Sequence, residues 1–289
     1  MTGIIDIGSN TIRLVIYDKK KRISNYGLTS EIFNDTVDGN LSSSGIVKLC
    51  CVIEFLKEKA KGCKIFAFAT FAFRVLKNCE EVKNEVFKRT GIEIDILSGE
   101  EEAEYDFYGL MSSLSKGESG IGIDLGGGSA QIFSFSNGVL KYYDSYPIGC
   151  RKLKNKFVKD NVPDIKERES LEKYIKEKLL SFNGKSKKIY MMGGTAKTAA
   201  KLYSFLNGSE NIDILKTENL EGIIRFIKET PENVMKNVLK KRYDNIAVGI
   251  FIMKIIAEVL GADKIHIKKC GVRDGYLIKK EQEKSMSKC

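Results

Sequence analysis

Residues 121–135 read Ile-Gly-Ile-Asp-Leu-Gly-Gly-Gly-Ser-Ala-Gln-Ile-Phe-Ser-Phe, two short apolar runs on either side of a small polar tip. This pattern predicts a β-hairpin, because runs of β-branched and aromatic residues favour strands and a glycine-rich break favours a turn. The same arrangement occurs near the start of the chain, where the runs 3–7 and 12–17 flank a polar tip at 8–11. The two segments are therefore an internal repeat, about half a chain apart.

Predicted strands and helices alternate after each hairpin. Strands are predicted for 64–69, 92–97 and 188–192, and helices for 46–61, 80–90, 100–114, 165–180 and 196–206. Alternation indicates an α/β fold, and the repeat indicates two similar lobes. We place the junction in the small polar stretch 112–120, which gives an N-terminal lobe, 1–116, and a C-terminal lobe, 117–289. The basic tail 279–289 is expected to be a frayed helix end.

The composition is that of a globular protein. The chain has 289 residues, of which 43% are hydrophobic, and its 48 Lys and Arg against 38 Asp and Glu give a net charge of +10, which suits a polyanionic partner. No leader peptide is expected, since Met1 leads almost directly into a strand. Charges interrupt even the most apolar run, 246–260, so no membrane-spanning helix is expected. Seven cysteines without a CxxC pair indicate reduced thiols and a cytoplasmic protein.

The chain has a single histidine, His266, and no tryptophan. Ser-His-Asp catalysis, Cys-His catalysis and histidine-rich zinc sites would each depend on that one residue. His266 lies in the alternating segment 264–267, with no carboxylate or cysteine spaced to partner it, which favours a structural or surface role. We therefore expect the chemistry to rest on carboxylates, backbone amides, Arg, Lys and a hard metal ion.

Three glycine turns follow predicted strands. Glycine has no Cβ and adopts positive φ easily, so backbone N–H groups can converge on an anion. One such turn would more often be a plain hairpin turn, but its repetition favours a phosphate clamp, and the third turn also starts a helix whose N-terminus attracts anions. The residues expected to bind phosphate are Gly8, Ser9, Asn10 and Thr11, Gly126, Gly127, Gly128 and Ser129, and Gly193, Gly194 and Thr195.

Two further stretches contain charged residues suited to chemistry. Ser98 followed by Glu101 predicts a capping box, and acidic residues are favourable at a helix start, which explains Glu100 and Glu101 without any catalytic role. That explanation does not exclude Glu102 as a general base. Arg74 follows an apolar strand and suits bidentate phosphate contact, although an isolated arginine there would more often lie on the surface.

Seven short motifs occur along the chain, at 6–13, 69–78, 98–103, 124–129, 148–151, 193–195 and 271–275. In this order they resemble the motifs of the exopolyphosphatase and guanosine pentaphosphate phosphatase family. The resemblance covers nearly the whole chain, at the length of the short, two-domain members. It implies an α/β fold of two duplicated actin-like (ribonuclease H-like) lobes, as in the sugar kinase, actin and heat-shock ATPase superfamily, with an interlobe cleft.

The resemblance also implies a reaction, the Mg²⁺-aided release of terminal phosphate from inorganic polyphosphate or the conversion of guanosine pentaphosphate to tetraphosphate. It places the catalytic base on Glu102, the metal-binding and water-positioning carboxylate on Asp124 and the phosphate-binding arginine on Arg74. Arg13 joins the phosphate-binding residues, and the expected Mg²⁺ ligands are Asp6, Asp124 and Glu102. Such roles suit phosphoryl transfer, which needs mainly positioning and charge neutralisation.

The chain departs from the family pattern in four places. Gln131 stands where the family usually has Glu, and Glu104 where it commonly has Arg. Residues 23–47 contain no Lys or Arg, whereas family members tend to carry an arginine there, and Phe71 and Phe73 are bulkier than usual. A neutral amide is a poorer Mg²⁺ ligand than a carboxylate. These departures favour an alternative function, a non-catalytic or weakly active binder or sensor of guanosine polyphosphates or polyphosphate.

The retained Glu102, Arg74 and glycine turns favour the enzyme. The expected partner is polyphosphate or a guanosine polyphosphate, with no nucleic acid, since Lys is spread along the chain without an aromatic-basic module, and with no membrane. A homodimer is one form left open. An ATP-dependent kinase also stays open, because fold does not set function.

Overall fold

The computed structural model describes residues 1–8, 11–29, 32–210, 212–239 and 242–286. The chain divides into two compact units, unit 1 with Met1–Glu102 and Tyr276–Cys289, and unit 2 with Ala103–Gly275. The predicted lobes, 1–116 and 117–289, also divide the chain in two but assign residues 103–116 and 276–289 differently. Those predicted bounds stay a prediction.

Unit 1 is built on a five-stranded sheet with helices in the connections. Its strands are β1 (Thr2–Ile7), β2 (Thr11–Asp18), β3 (Lys21–Thr29), β4 (Thr36–Val37), β5 (Asn40–Leu41), β6 (Lys64–Ala69) and β7 (Ile94–Ile96), and its helices are α1 (Ser43–Lys59), α2 (Phe71–Arg74) and α3 (Cys79–Thr90), with a 3₁₀ turn at Ile32–Asp35. The strand order in the main sheet is β3-β2-β1-β6-β7. Strands β1, β6 and β7 run parallel, and β1, β2 and β3 form an antiparallel meander.

Unit 2 contains a six-stranded sheet. Its strands are β8 (Gly120–Leu125), β9 (Ala130–Ser136), β10 (Val139–Tyr146), β11 (Lys188–Met192), β12 (Ile214–Lys216) and β13 (Lys264–Ile267), and the helices from α4 onward are α4 (Gly99–Met111), α5 (Cys150–Phe157), α6 (Ile165–Lys178), α7 (Gly193–Leu206), α8 (Asn219–Glu229), α9 (Glu232–Leu239), α10 (Tyr243–Val259) and α11 (Val272–Met286). Helices α4 and α11 each have residues in both units. The strand order is β10-β9-β8-β11-β13-β12.

The two sheets confirm the internal repeat. In each, an antiparallel meander of three strands continues into two parallel strands, β6 and β7 in one unit and β11 and β13 in the other. We define each hairpin loop by the four residues that its closing hydrogen bond spans, 8–11 (the unit 1 loop, which includes the first residue of β2) and 126–129 (the unit 2 loop). Each loop is closed by one backbone bond, Gly8 N–H to Thr11 C=O at 3.1 Å and Gly126 N–H to Ser129 C=O at 3.0 Å.

Local sequence signals set many helix ends. The hydroxyl of Ser42 accepts from the backbone N–H of Gly45 at 3.2 Å and starts α1. Asp164 and Glu167 form a capping box at the start of α6. Helix α3 ends at Gly91, whose φ of +68° is the left-handed conformation that glycine adopts without a Cβ penalty. Each predicted helix agrees with an observed one to within three residues at both ends.

Each unit has its own hydrophobic core. In unit 1, Ile5 and Leu14 of the sheet and Leu49 of α1 are fully buried. In unit 2, α10 has twelve of its 17 residues buried, which explains the apolar run noticed in the sequence. Among the residues that the structure describes, no helix is both long and apolar enough to cross a membrane.

Strands β3 and β10 were not predicted. Both lie at the end of their sheet, and most of their residues are exposed or half-buried. They therefore carry Lys, Ser, Asn and Tyr in place of an apolar run, so their sequences lack the strand signal that the inner strands have. The basic tail is helical as far as Met286, and residues 287–289 lie outside the described part of the chain.

In unit 2, α4 packs backbone to backbone against residues 271–275. A Cβ on Gly109 would lie 3.0 Å from the carbonyl carbon of Gly271, and a Cβ on Gly275 would lie 2.5 Å from that of Tyr105. The glycines of this last motif therefore allow two segments of backbone to come close.

We expect Gly275→Ala to lower the free energy of unfolding by about 1–3 kcal/mol, because the added methyl group overpacks a backbone contact. The matched control is Gly222→Ala in α8, where a Cβ would meet nothing within 4 Å, and where alanine should be neutral or slightly stabilising. Urea unfolding of the two variants measures the difference. Equal stability would mean that the close packing at Gly275 is unimportant.

Candidate active site

The unit 2 loop is attached to the start of α5 by hydrogen bonds. The carbonyl of Gly126 accepts from the N–H of Cys150 at 3.0 Å, and the carbonyl of Gly127 accepts from the N–H groups of Arg151 and Lys152, each at 3.0 Å. The first N–H groups of a helix have no partner within the helix, so they need acceptors from elsewhere. Here the glycine loop supplies those acceptors, and the three N–H groups at the start of α5 hold the loop in place.

This attachment decides which way the loop's own N–H groups face. In a planar trans peptide, the C=O of one residue and the N–H of the next point in opposite directions. Because the carbonyls of Gly126 and Gly127 face α5, the N–H groups of Gly127 and Gly128 point away from it. Gly126 and Gly127 are also partly exposed. The loop thus presents backbone donors on one side, as a phosphate cradle requires.

Gly149 makes the attachment sterically possible. A Cβ at this position would lie 2.5 Å from the carbonyl carbon of Gly127, and it would also overlap Gly128. The residue comes directly before α5, where it has an extended conformation. The motif at 148–151 therefore has an identified role, which is to let the helix start approach the loop.

The carboxylate of Asp124 lies between two glycine turns. Asp124 is opposite Gln131 in β9 and opposite Met192 in β11. A Cβ on Gly193 would overlap Asp124 Oδ1, and a Cβ on Gly271 would lie 3.5 Å from Oδ2. Gly193 also has a φ of +86°, so both its backbone conformation and its neighbour require glycine.

The third turn has a neighbour that the sequence analysis missed. A Cβ on Gly194 would lie 2.5 Å from the Nη1 atom of Arg242, so the guanidinium rests against the glycine backbone. Arg242 is exposed and stands just before α10. A cation thus lies at this turn, but an arginine 48 positions along the chain gives no sequence signal that would associate it with Gly194.

Thr195 faces the interior of unit 2. Its hydroxyl lies 3.4 Å from the thiol of Cys150, and both residues are buried. Burial raises the pKa of Cys150 to about 11, so this thiol stays protonated at neutral pH. The side chain of Thr195 therefore packs in the interior of unit 2. The predicted contact of Thr195 with phosphate stays a prediction, and it would have to come from the backbone N–H.

Gln131 is buried and bonded on both sides. Its Nε2 donates to Ser129 Oγ at 2.9 Å and to Ser145 Oγ at 3.0 Å. The residue exposes 2% of its surface. Its amide nitrogen therefore connects the unit 2 loop to strand β10.

In unit 1, the loop is closed in the same way, but its tip cannot be described. The predicted phosphate-binding residues Ser9 and Asn10 lie outside the described residues. Asp6 stands opposite Arg13 across the β1–β2 pair. Arg13 donates to Asn25 at 2.7 Å, and this contact holds its guanidinium over the neighbouring strand.

The three glutamates at the start of α4 do not all take part in capping the helix. The N–H of Ser98 donates to Glu101 Oε2 at 2.8 Å, and the N–H of Glu101 donates to Ser98 Oγ at 3.1 Å, which confirms the capping box. The pKa of Glu100 is lowered by its own backbone N–H and by the Ser98 hydroxyl. Glu102 takes no part in these cap bonds through its side chain.

Glu102 instead forms an ion pair with Arg74. The two side chains meet at 3.0 Å, and 12% of the glutamate side chain and 21% of the arginine side chain are exposed. Arg74 also donates to the carbonyl of Leu97 at 2.7 Å. The structure thus brings together the predicted base and the predicted phosphate-binding arginine of unit 1.

The two phenylalanines near Arg74 have different surroundings. Phe73 is fully buried in the core of unit 1, whereas the ring of Phe71 lies 5.9 Å from the guanidinium of Arg74. The bulk of Phe73 is therefore a packing feature, and only Phe71 lies beside a predicted site residue.

The comparisons with known proteins agree with this geometry. The model of the Ppx/GppA phosphatase family matches residues 14–284. The chain belongs to the Ppx/GppA phosphatase family. It is 25% identical over 304 residues to exopolyphosphatase 1 of Mycobacterium tuberculosis, covering 96% of this chain and 87% of that protein. This family membership confirms the predicted resemblance.

Two solved structures show the fold. The exopolyphosphatase of Cytophaga hutchinsonii is 16% identical, covers 98% of both chains and superposes with a TM-score of 0.86. The Aquifex aeolicus PPX-GPPA enzyme is 24% identical, covers 96% of this chain and 98% of its own, and has a TM-score of 0.78. The predicted α/β fold class of duplicated actin-like lobes is thereby confirmed, whereas the predicted cleft stays a prediction.

The family resemblance implies a magnesium site, which would need oxygen ligands from the chain. The described part of the chain contains no group of three or more His, Cys, Asp and Glu side chains that could hold a metal ion. Asp124, however, is partly exposed beside the unit 2 loop. Mg²⁺ is commonly held by one or two carboxylates together with substrate phosphates, and Asp124 fits that mode. The predicted set Asp6, Asp124 and Glu102 stays a prediction.

The surroundings of His266, the single histidine of the chain, agree with the predicted structural role. His266 lies in β13, with its ring 5.4 Å from that of Tyr190. Burial and the nearby Lys188 and Lys268 lower its pKa. His266 is therefore mainly neutral at pH 7 and packs against an aromatic ring.

We expect Gly149→Ala to lower the free energy of unfolding by about 1–3 kcal/mol, because the methyl group would push the unit 2 loop off the start of α5. Gly8→Ala is the comparison in the unit 1 loop, where the nearest atom to a Cβ is 3.3 Å away. Gly8→Ala should lower the free energy of unfolding by less than Gly149→Ala does. Urea unfolding checks both variants, and a loss at Gly8 that equals the loss at Gly149 would contradict the assigned role of Gly149.

Proposed function

We propose that this protein is a phosphohydrolase that releases the terminal phosphate of inorganic polyphosphate or converts guanosine pentaphosphate to tetraphosphate. The observation that carries the proposal is the unit 2 loop, whose carbonyls are bonded to α5 so that its N–H groups face the other way. A row of backbone donors beside a carboxylate suits a phosphate chain. Membership of the Ppx/GppA phosphatase family and the net charge of +10 support it.

Phosphate binding is assigned to backbone donors and arginines. The N–H groups of Gly127 and Gly128 would hold non-bridging phosphate oxygens, and Arg242 beside Gly194 would neutralise part of their charge. Arg74 would also neutralise phosphate charge, once a phosphate competes with Glu102 for the Arg74 guanidinium. Positioning and charge neutralisation are the main requirements of phosphoryl transfer.

Glu102 is assigned the proton transfer. Its carboxylate accepts a proton from the attacking water, the water oxygen bonds to the terminal phosphorus, and the bridging P–O bond breaks to leave the shortened chain. The ion pair with Arg74 keeps the carboxylate in one orientation before the water is activated. Asp124, held between Gly193 and Gly271, is assigned to orient that water.

Mg²⁺ is proposed as the cofactor. Asp6, Asp124 and Glu102 are the carboxylates that we propose to hold it, largely through water and the phosphate oxygens. When bound, the ion would neutralise charge on the transferred phosphate.

The second candidate function is a sensor that binds polyphosphate or guanosine polyphosphates with little or no hydrolysis. The neutral Gln131 favours it, because this side chain brings no charge toward a metal ion. Glu104 does not add to that case, since it accepts a hydrogen bond from Tyr108 one turn along α4 at 2.8 Å. We also propose a cytoplasmic location, because none of the six cysteines that the structure describes forms a disulfide.

Glu102→Gln is expected to reduce phosphate release about 10²- to 10⁴-fold, because the amide cannot accept the water proton. The measurement is phosphate released from long-chain polyphosphate and from guanosine pentaphosphate, side by side, with and without Mg²⁺. The matched control is Glu101→Gln, which makes the same change one residue earlier, where glutamine still serves the capping box.

The control variant is expected to keep wild-type activity. Full activity in Glu102→Gln would show that the base is another residue. If the unmodified protein binds either substrate but releases no phosphate under any condition, the sensor replaces the enzyme.

A further inference from the structure

The hydrogen bonds of Gln131 fix the direction of a hydroxyl proton in the unit 2 loop. An amide nitrogen carries two hydrogens and accepts nothing, and Gln131 Nε2 contacts two oxygen atoms, Ser129 Oγ at 2.9 Å and Ser145 Oγ at 3.0 Å. Both serine hydroxyls therefore act as acceptors toward Gln131. Each must direct its own proton elsewhere.

Ser129 is the serine that belongs to the loop. Its carbonyl accepts the closing bond from Gly126, and its hydroxyl makes no hydrogen bond besides the one from Gln131 within the ranges of the chain that the structure describes. A hydroxyl has one proton and two acceptor positions. The Ser129 proton is thus left to donate to a ligand at the loop, beside the N–H groups of Gly127 and Gly128.

A glutamate at position 131 would reverse this arrangement. A carboxylate is an acceptor only, so the Ser129 hydroxyl would donate its proton to the side chain and present a lone pair at the loop. A buried negative charge next to Asp124 would also repel phosphate unless a cation lay between them. The choice of Gln or Glu at 131 therefore decides whether Ser129 is a donor to an anion.

We propose that Gln131 makes Ser129 a phosphate-binding donor, so that this protein binds phosphoanhydrides without requiring Mg²⁺ for binding. The inference rests on the proposed function, since it assigns the unit 2 loop to the phosphate chain. The ligand class is a pyrophosphate-like group with adjacent non-bridging oxygens. Its oxygens would accept from the Ser129 hydroxyl as well as from the loop N–H groups.

The experiment uses methylenediphosphonate as the probe, because its P–C–P linkage resists hydrolysis and binding can be measured apart from turnover. Isothermal titration of the full chain is done in EDTA and again in Mg²⁺. The unmodified protein is expected to bind the probe in EDTA. Gln131→Glu is expected to lose affinity by about tenfold or more in EDTA, which corresponds to the loss of one charge-assisted hydrogen bond, and to recover part of it in Mg²⁺.

Gln282→Glu in α11 is the control for charge, since it changes the net charge by the same amount at an exposed position. It is expected to bind like the unmodified protein.

Two serine variants test the proton itself without changing charge. Ser129→Ala removes the donor and should lose about as much affinity in EDTA as Gln131→Glu. Ser145→Ala removes the other hydroxyl bonded to the same amide, at nearly the same distance, but lies on β10 outside the loop, so it should keep the affinity. Thermal melting of each variant shows whether it is folded, and the serine pair decides the matter if Gln131→Glu does not fold.

The proposal is overturned if Ser129→Ala binds as tightly in EDTA as Ser145→Ala, or if the unmodified protein binds the probe only with Mg²⁺. Failure of the proposed function has a different signature. In that case the unmodified protein releases no phosphate from polyphosphate or guanosine pentaphosphate, whether or not methylenediphosphonate binds in EDTA.

Discussion

The carbonyls of Gly126 and Gly127 accept hydrogen bonds from the first N–H groups of α5, and the geometry of the candidate site depends on that contact. A helix start needs partners for its N–H groups, and a glycine loop needs something to hold its flexible backbone. Each requirement is met by the other in three hydrogen bonds of 3.0 Å. The same contact requires glycine at 149 and turns the loop's own N–H groups to the opposite side. Local backbone chemistry thus orients the candidate phosphate cradle.

The repeat kept the hairpin in both units. Both loops have four residues and the same closing bond, and both follow a strand that ends next to an aspartate, Asp6 or Asp124. The residue opposite that aspartate differs, Arg13 in unit 1 and Gln131 in unit 2. Arg13 is bonded to Asn25, whereas Gln131 is bonded to two serines. Equivalent positions of one duplicated sheet have therefore been given different chemistry.

The hydrogen-bond partners of Glu104 and Gln131 show what these two departures from the family pattern do in the structure. Glu104 accepts a hydrogen bond from Tyr108 within α4, so the replacement of the family's arginine by glutamate affects only the surface of this helix. Gln131 donates hydrogen bonds to Ser129 and Ser145 beside the glycine loop. The replacement of the family's glutamate by a neutral residue therefore alters the candidate site itself. In unit 1, Glu102 and Arg74 form a largely buried ion pair.

The sequence by itself determined the repeat, the α/β alternation, the capping box at Ser98 and the glycine turns, because these depend on neighbours within a few residues. The capping box did not exclude Glu102 as a general base, and the family resemblance placed the predicted base on it. Only the tertiary structure decided that Arg242 lies against Gly194, that Gly149 meets Gly127, and which hydroxyls Gln131 binds. Such contacts join segments separated by many residues, and packing, which no local pattern records, brings them together.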